Sequence, residues 1–123
     1  MQRKRRIWII AAAVCLVLFG AMELASSAGV PDVHFIATPQ YVVNEMLELA
    51  GTNQNDVVYD LGCGDGRFVI TAAKNFGARG VGIDIDPERI RESLVNARKA
   101  GVDNRVTFHE QNLFATDISP ATI

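Results

Sequence analysis

The sequence predicts an α/β fold with a doubly wound parallel sheet, and three observations carry that expectation. Apolar runs rich in β-branched residues alternate with amphipathic stretches in the order β-α-β-α-β. The connections between them are short, which favours parallel pairing through right-handed crossovers. A glycine loop lies between the first strand and the helix that follows it. Only the N-terminal half of such a sheet is expected: three strands plus the start of a fourth, preceded by a hydrophobic N-terminal helix.

The elements follow in chain order. Thr38-Pro39 reads as a capping hydroxyl followed by proline at the first helical position. Val43, Met46, Leu47 and Ala50 then recur at helical spacing, and Gly51 closes the helix. Val57 to Leu61 is a short apolar run bounded by turn signals, the pattern of a buried parallel strand. After the turn Gly62-Cys63-Gly64-Asp65-Gly66, a helix runs from Arg67 to Phe76 with Phe68, Val69, Ala72, Ala73 and Phe76 facing inward. Gly80 to Asp84 is the second strand. Asp86-Pro87-Glu88 then supplies a cap, an N1 proline and an early acid for a helix whose inner stripe is Ile90, Leu94 and Ala97. Gly101 ends that helix, and Val106 to Glu110 is the third strand. Ala121-Thr122-Ile123 looks like the start of a fourth. In a doubly wound sheet the first strand is central, so a strand is expected along its other edge, and the chain reads as truncated.

Residues 1–28 are not domain material. Arg3, Lys4, Arg5 and Arg6 precede an uncharged run from Ile7 to Met22, followed by Glu23 and the small residues Ala25 to Gly29. That is the order of a secretory signal, with Ser26 and Ala28 at the small-residue positions. Extending the run through Ala25 reaches the roughly 20 residues that span a bilayer, at the cost of burying Glu23. Two fates stay open: a single-pass membrane anchor over residues 7–25, or export after cleavage near Ala28. Trp8 suits the membrane interface in either case. Residues 29–51 are then linker and lead helix, and residues 52–123 carry the half-sheet with its glycine loop.

Charge excludes one class of partner. The chain has 12 Lys and Arg against 14 Asp and Glu, but four of the cations lie in the first six positions. The part after residue 28 has 8 against 13, and a domain that acidic, with no basic stripe, is a poor nucleic-acid binder. Cys15 and Cys63 imply no disulfide framework. His34 and His109 are isolated in sequence, so neither a metal site nor a nucleophile is indicated, and the sequence names no catalytic acid or base. Tyr41 reads as a surface aromatic, and Arg89, Arg91, Arg98 and Lys99 as a solvated face interleaved with Glu88 and Glu92.

The glycine loop has the strand-to-helix context of a nucleotide site. Its spacing departs from the dinucleotide fingerprint, which would need glycine at position 67; Arg67 stands there, and the third glycine comes one residue early at Gly66. Asp60 and Asp65 flank the loop and would repel a pyrophosphate, while favouring a cationic centre. No Walker lysine follows. Asp84 ends the second strand 22 positions after Gly62, where an acid accepts hydrogen bonds from ribose hydroxyls. These features together ask for a ribose-bearing, positively charged ligand without diphosphate; S-adenosyl-L-methionine meets all three conditions.

Val58-Tyr59-Asp60-Leu61-Gly62-Cys63-Gly64-Asp65-Gly66 resembles motif I of class I S-adenosylmethionine-dependent methyltransferases, and Gly82-Ile83-Asp84-Ile85-Asp86 resembles the motif that follows it. The resemblance implies a Rossmann-like fold and a cofactor site at Asp60, Gly62, Gly64, Asp65, Gly66 and Asp84, with Ile85 as an apolar wall beside the adenine. Many members have an aspartate after the third strand that contacts the adenine amino group. Asn112 stands there instead, and its amide oxygen accepts the same bond without charge assistance.

Thr38-Pro39, Gly64-Asp65-Gly66-Arg67 and Asn112-Leu113-Phe114 also resemble the small membrane-associated methyltransferases related to mitochondrial ATP-synthase c-subunit lysine methyltransferases. That likeness implies a protein lysine as acceptor. Two other readings stay open: a remnant that binds the cofactor without transfer, and a dinucleotide-binding domain of the NAD type.

Overall fold

A computed structural model of the chain describes residues 34–123. The expected anchor or signal, Trp8, Cys15 and the start of the linker lie outside the described residues. Among the described residues, no helix is long and apolar enough to cross a membrane. The elements are α1 (Gln40–Leu49), β1 (Val57–Leu61), α2 (Arg67–Phe76), β2 (Arg79–Asp84), α3 (Pro87–Ala100), β3 (Val106–Glu110) and a 3-10 turn at Leu113–Ala115.

The strands form a parallel sheet in the order β1-β2-β3. Tyr59 pairs in register with Val81, and Val81 with Thr107, so the three strands end together. Val58 and Val106 point into a core shared with Val69, Ala72 and Ala73 of α2 and with Val43 and Leu47 of α1. Gly80 permits that approach: a Cβ there would lie 2.6 Å from the Cβ of Val69. Both β-α-β units place their loops at the same end of the sheet, and that end is where ligands bind in open α/β sheets.

Residues 122–123 lie along the edge of β1 away from β2. Thr122 N–H donates to Val57 O at 2.9 Å, and Tyr59 N–H donates to Ile123 O at 2.9 Å. This is the slanted pattern of a parallel pair, as expected for that segment. Thr122 also accepts the Val57 N–H through its hydroxyl at 2.9 Å.

Three expectations need correction. The first concerns Thr38, which does not cap α1. Pro39 is the N-cap residue, without a side-chain bond, and the Thr38 carbonyl instead accepts from Arg67 Nη1 at 2.7 Å. Next, the buried side of α1 is only Val43 and Leu47; Met46 and Ala50 face outward. Finally, the buried stripe of α3 is Ile90, Ser93 and Ala97, while Leu94 is 40% exposed. A serine with no exposed surface sits where an aliphatic residue was expected.

Candidate functional site

A cleft of about 730 Å³ opens at the C-terminal ends of the strands. Its floor is the β1–α2 loop, one wall is the end of β2 with Ile85 and Asp86, another is the stretch after β3 from Gln111 to Phe114, and the lead segment 34–38 closes the rim. Six of the eight residues expected at the site line it: Asp60, Gly62, Asp65, Asp84, Ile85 and Asn112. Gly64 and Gly66 lie beneath the surface, and their role is to shape the loop.

All three loop glycines adopt positive φ, which L side chains resist. They also differ. At Gly62 an added Cβ would meet nothing within 4 Å, so the bare backbone floors open space. At Gly66 it would meet Phe108 and Ser93 at 2.9 Å. At Gly64 the space is filled by the Phe35 ring. Arg89 lies over that ring, its guanidinium carbon 5.0 Å from the centroid, a cation–π contact. Arg89 therefore belongs to the rim of the cleft and not to a solvated helix face.

The loop's own N–H groups are largely committed to the protein. Gly62 and Cys63 both donate to Ile83 O, at 2.8 and 2.9 Å, and Gly66 donates to Cys63 O at 2.9 Å. Gly64 N–H donates to Asp84 Oδ2 at 2.9 Å. A phosphate-cradling loop keeps such donors free for the ligand. This one does not, so the mismatch with a dinucleotide extends from the glycine spacing to the hydrogen bonding.

The acids are in three different states. Asp65 is paired with Arg67, with Nη2 at 2.6 Å from Oδ2 and Nε at 3.0 Å from Oδ1. Burial pushes its pKa up, but the bonds from the Arg67 side chain and amide outweigh that and hold it below the ordinary value. Asp84 accepts the Gly64 amide on one oxygen and the Asp86 amide on the other, at 2.9 Å each. A carboxylate oxygen accepts more than one bond, so both retain capacity toward the cleft. Asp60 has no side-chain partner among the described residues. It is pushed up to about 6, first by burial and then by the carboxylates of Asp84 and Asp65. An unpaired carboxyl next to two other acids is an arrangement that a cationic ligand relieves.

Asp86 caps α3, its Oδ1 accepting the Glu88 N–H at 2.8 Å. Asn112 accepts the Phe114 N–H at 3.0 Å and so shapes the 3-10 turn while lining the cleft. Cys63 is buried, and its thiol is pushed up to about 12 by burial and by Asp60 and Asp84, which makes it a small neutral filler of the loop. Tyr41 is exposed on α1 and outside the cleft. The sequence reading missed Phe35 and His34 in the lining, because the lead segment has no periodicity to interpret, and Tyr59, which it read only as part of the β1 apolar run.

A parallel sheet with a glycine loop after β1 and an acid at the end of β2 defines a Rossmann-like unit with a nucleoside-type cleft. The ANTKMT methyltransferase domain model matches residues 60–123, and the chain belongs to that family. A protein-lysine N-methyltransferase from Saccharolobus islandicus is 53% identical over 95 residues, covering 76% of this chain and 59% of that protein. A ribosomal protein L11 methyltransferase from Serratia proteamaculans is 43% identical over 63 residues, covering 51% of this chain and 20% of that protein. Among solved structures, an RNA methyltransferase from Salinibacter ruber in complex with S-adenosyl-L-homocysteine matches with a TM-score of 0.70 and 54% identity, over 71% of this chain and 57% of that one. A SAM-dependent methyltransferase from Geobacter sulfurreducens, also with S-adenosyl-L-homocysteine, matches with a TM-score of 0.57 and 28% identity, over 66% of this chain and 32% of that one. The chain thus spans less than two thirds of the length of each of these relatives.

Proposed function

We propose that the cleft binds S-adenosyl-L-methionine and serves a methyltransferase whose acceptor is a protein lysine. The observation that carries the cofactor reading is the division of labour at the loop. Its amides are used internally, while Asp60 stands unpaired in the lining and Asp84 keeps acceptor capacity toward the cleft. These residues fit a sulfonium nucleoside. Bound there, the cofactor supplies an electrophilic methyl group to a neutral nucleophile.

In this reading Asp84 takes the ribose hydroxyls, Ile85 and Asn112 border the adenine, and Asp60 offsets the positive charge. The bare floor at Gly62 leaves room for the ligand to approach the backbone. The 34–38 rim narrows the opening and limits the entry of water.

The acceptor is drawn from the Saccharolobus relative, which is named a protein-lysine methyltransferase, whereas the similar Salinibacter structure is named an RNA methyltransferase. The charge balance favours the lysine. After residue 28 the chain has 8 basic against 13 acidic residues, which opposes a polyanionic acceptor and suits a cationic side chain. The single-pass anchor at residues 7–25 belongs to the same proposal, with the lysine acceptor at or near a membrane.

The test incubates the full-length protein with radiolabelled cofactor and a membrane fraction from its host. Label that survives ribonuclease, is lost to protease and hydrolyses to methyl-lysine supports the proposal. Label on RNA overturns the acceptor, and cofactor binding without any transfer overturns the activity. Alkaline extraction of the same membranes checks the anchor, which predicts that the protein stays in the pellet.

A further inference from the structure

The buried serine of α3 has no explanation in packing alone. Ser93 has no exposed surface and lies between Ile90 and Ala97 on the helix's buried stripe. A buried hydroxyl without a partner is costly, so its presence there points to its acceptor. That acceptor is the carbonyl of Gly64, at 2.8 Å. Asn96 lies three positions further along the same helix, and its Nδ2 donates to the next carbonyl of the loop, Asp65 O, at 3.0 Å. Residues three apart on a helix share a face, so one face of α3 grips two consecutive peptide groups of the loop.

The grip depends on close approach. A Cβ at Gly66 would lie 2.9 Å from the Cβ of Ser93, so glycine at that position is what lets α3 come near enough for the hydroxyl to reach Gly64. The opposite side of the same residue is held as well, since Gly64 N–H donates to Asp84 at the end of β2. Asp84 and α3 are joined through Asp86, whose amide donates to Asp84 Oδ1 at 2.9 Å and whose side chain caps the helix. β2 and α3 together therefore hold the glycine loop on both sides of Gly64. A trans peptide sets its N–H opposite its C=O. Fixing the Gly64 and Asp65 carbonyls toward α3 consequently turns the following amides away from it.

We propose that Ser93 and Asn96 are positioning residues that hold the glycine loop in its ligand-ready shape, so that the cofactor meets a loop already ordered. The proposal rests on the cofactor reading of the cleft. Neither side chain lines the cleft itself, so each acts through the loop backbone. Loss of either bond leaves the loop to be ordered on binding, which weakens the cofactor by about tenfold per bond. The effect falls on KM for the cofactor and leaves kcat at saturation unchanged, because the bound loop is the same.

The test uses Ser93→Ala, Asn96→Ala and Asn96→Asp in the full-length protein. Amide exchange of residues 62–66 is measured without ligand, and S-adenosyl-L-homocysteine binding is measured by calorimetry. The expected result is faster exchange confined to the loop, about tenfold weaker binding in the alanine variants, and a larger loss in Asn96→Asp, whose carboxylate would face the Asp65 carbonyl. Unchanged loop exchange and unchanged affinity overturn the proposal, as does a lowered melting temperature with affinity intact. If Ser93→Ala does not fold, the two Asn96 variants decide, since Asn96 is only partly buried. If the parent protein binds no S-adenosyl-L-homocysteine, the cofactor reading fails separately, and exchange in the ligand-free protein still shows whether α3 holds the loop.

Discussion

The two sides of the glycine loop are built from the same few residues and are made for different tasks. The back is packed: Gly66 presses on Ser93 and Phe108, and the carbonyls of Gly64 and Asp65 are bonded to α3. The front is open: Gly62 faces empty space, and Asp60 has no side-chain partner among the described residues. Interactions at the back are complete without a ligand, whereas those at the front are left partly unsatisfied. The steric packing at the back should therefore set stability and the front affinity, while the α3 bonds to the Gly64 and Asp65 carbonyls reach affinity through the order of the loop. A variant that moves the wrong quantity breaks that division.

The largest expected effect is at the back. Gly66→Ala combines a left-handed backbone at φ 78° with steric overlap against Ser93 and Phe108. Strain and overpacking together should cost about 2–4 kcal/mol in denaturant unfolding. Gly62→Ala, with φ 92° but no neighbour within 4 Å, should cost only the strain, about 1–2 kcal/mol. Equal losses at the two positions would show that the back is not packed as described.

Asp84 joins the two sides, so its removal should register in both assays. Asp84→Ala frees the Gly64 and Asp86 amides and removes the ribose acceptor. Cofactor affinity should fall by about 1.5–3 kcal/mol, roughly 10- to 150-fold, by calorimetry. A variant that binds like the parent would move the ribose contact to another residue.

Asp60 sharpens the comparison through pH. Its carboxyl is raised from 3.8 to about 6 in the fold, so the charged form is disfavoured there. Below 3.8 the group is neutral in both folded and unfolded chains and costs nothing. As pH rises from 3.8 to about 6 the unfolded chain ionises first, and stability falls until both states are charged. Asp60→Asn should remove that decline, so its melting temperature should rise relative to the parent across this window and hold its lead above it. The same substitution should weaken a cationic ligand, because the charge that destabilises the free protein is the one the ligand neutralises. A gap in melting temperature that does not vary with pH would contradict the burial of Asp60.

The smallest effect is expected at Asp86. It caps α3, so Asp86→Ala should lower stability by about 1 kcal/mol and leave cofactor affinity within a factor of about two.

Where the sequence was legible, local chemistry decides structure. β1, α2 and β3 have the expected bounds because glycine and β-branched runs mark their ends. The front of the loop was legible too: Asp60 and Asp84 line the cleft from the strand ends that the sequence pattern locates, and Ile85 and Asn112 line it where the family resemblance put them. The back was not. Spacings of three and four are equally helical, so nothing local distinguishes Ser93 from Leu94 as the inward residue; the carbonyl of Gly64, 29 positions away, makes the difference. Thr38 was misplaced for the same reason, since Arg67 takes its carbonyl. Arg89 looked like part of a solvated face because the Phe35 ring it covers comes from a segment with no pattern.

The central claim is that the front of the loop is made for a cationic nucleoside and not for a pyrophosphate. Calorimetry of the full-length protein with S-adenosyl-L-methionine, S-adenosyl-L-homocysteine and NAD at matched ionic strength tests it most directly. The account predicts binding of the first two, no measurable binding of NAD, and a loss of affinity for the sulfonium form in Asp60→Asn that exceeds the loss for its uncharged-sulfur product. Tight binding of NAD, or equal losses for the two nucleosides in Asp60→Asn, would contradict it.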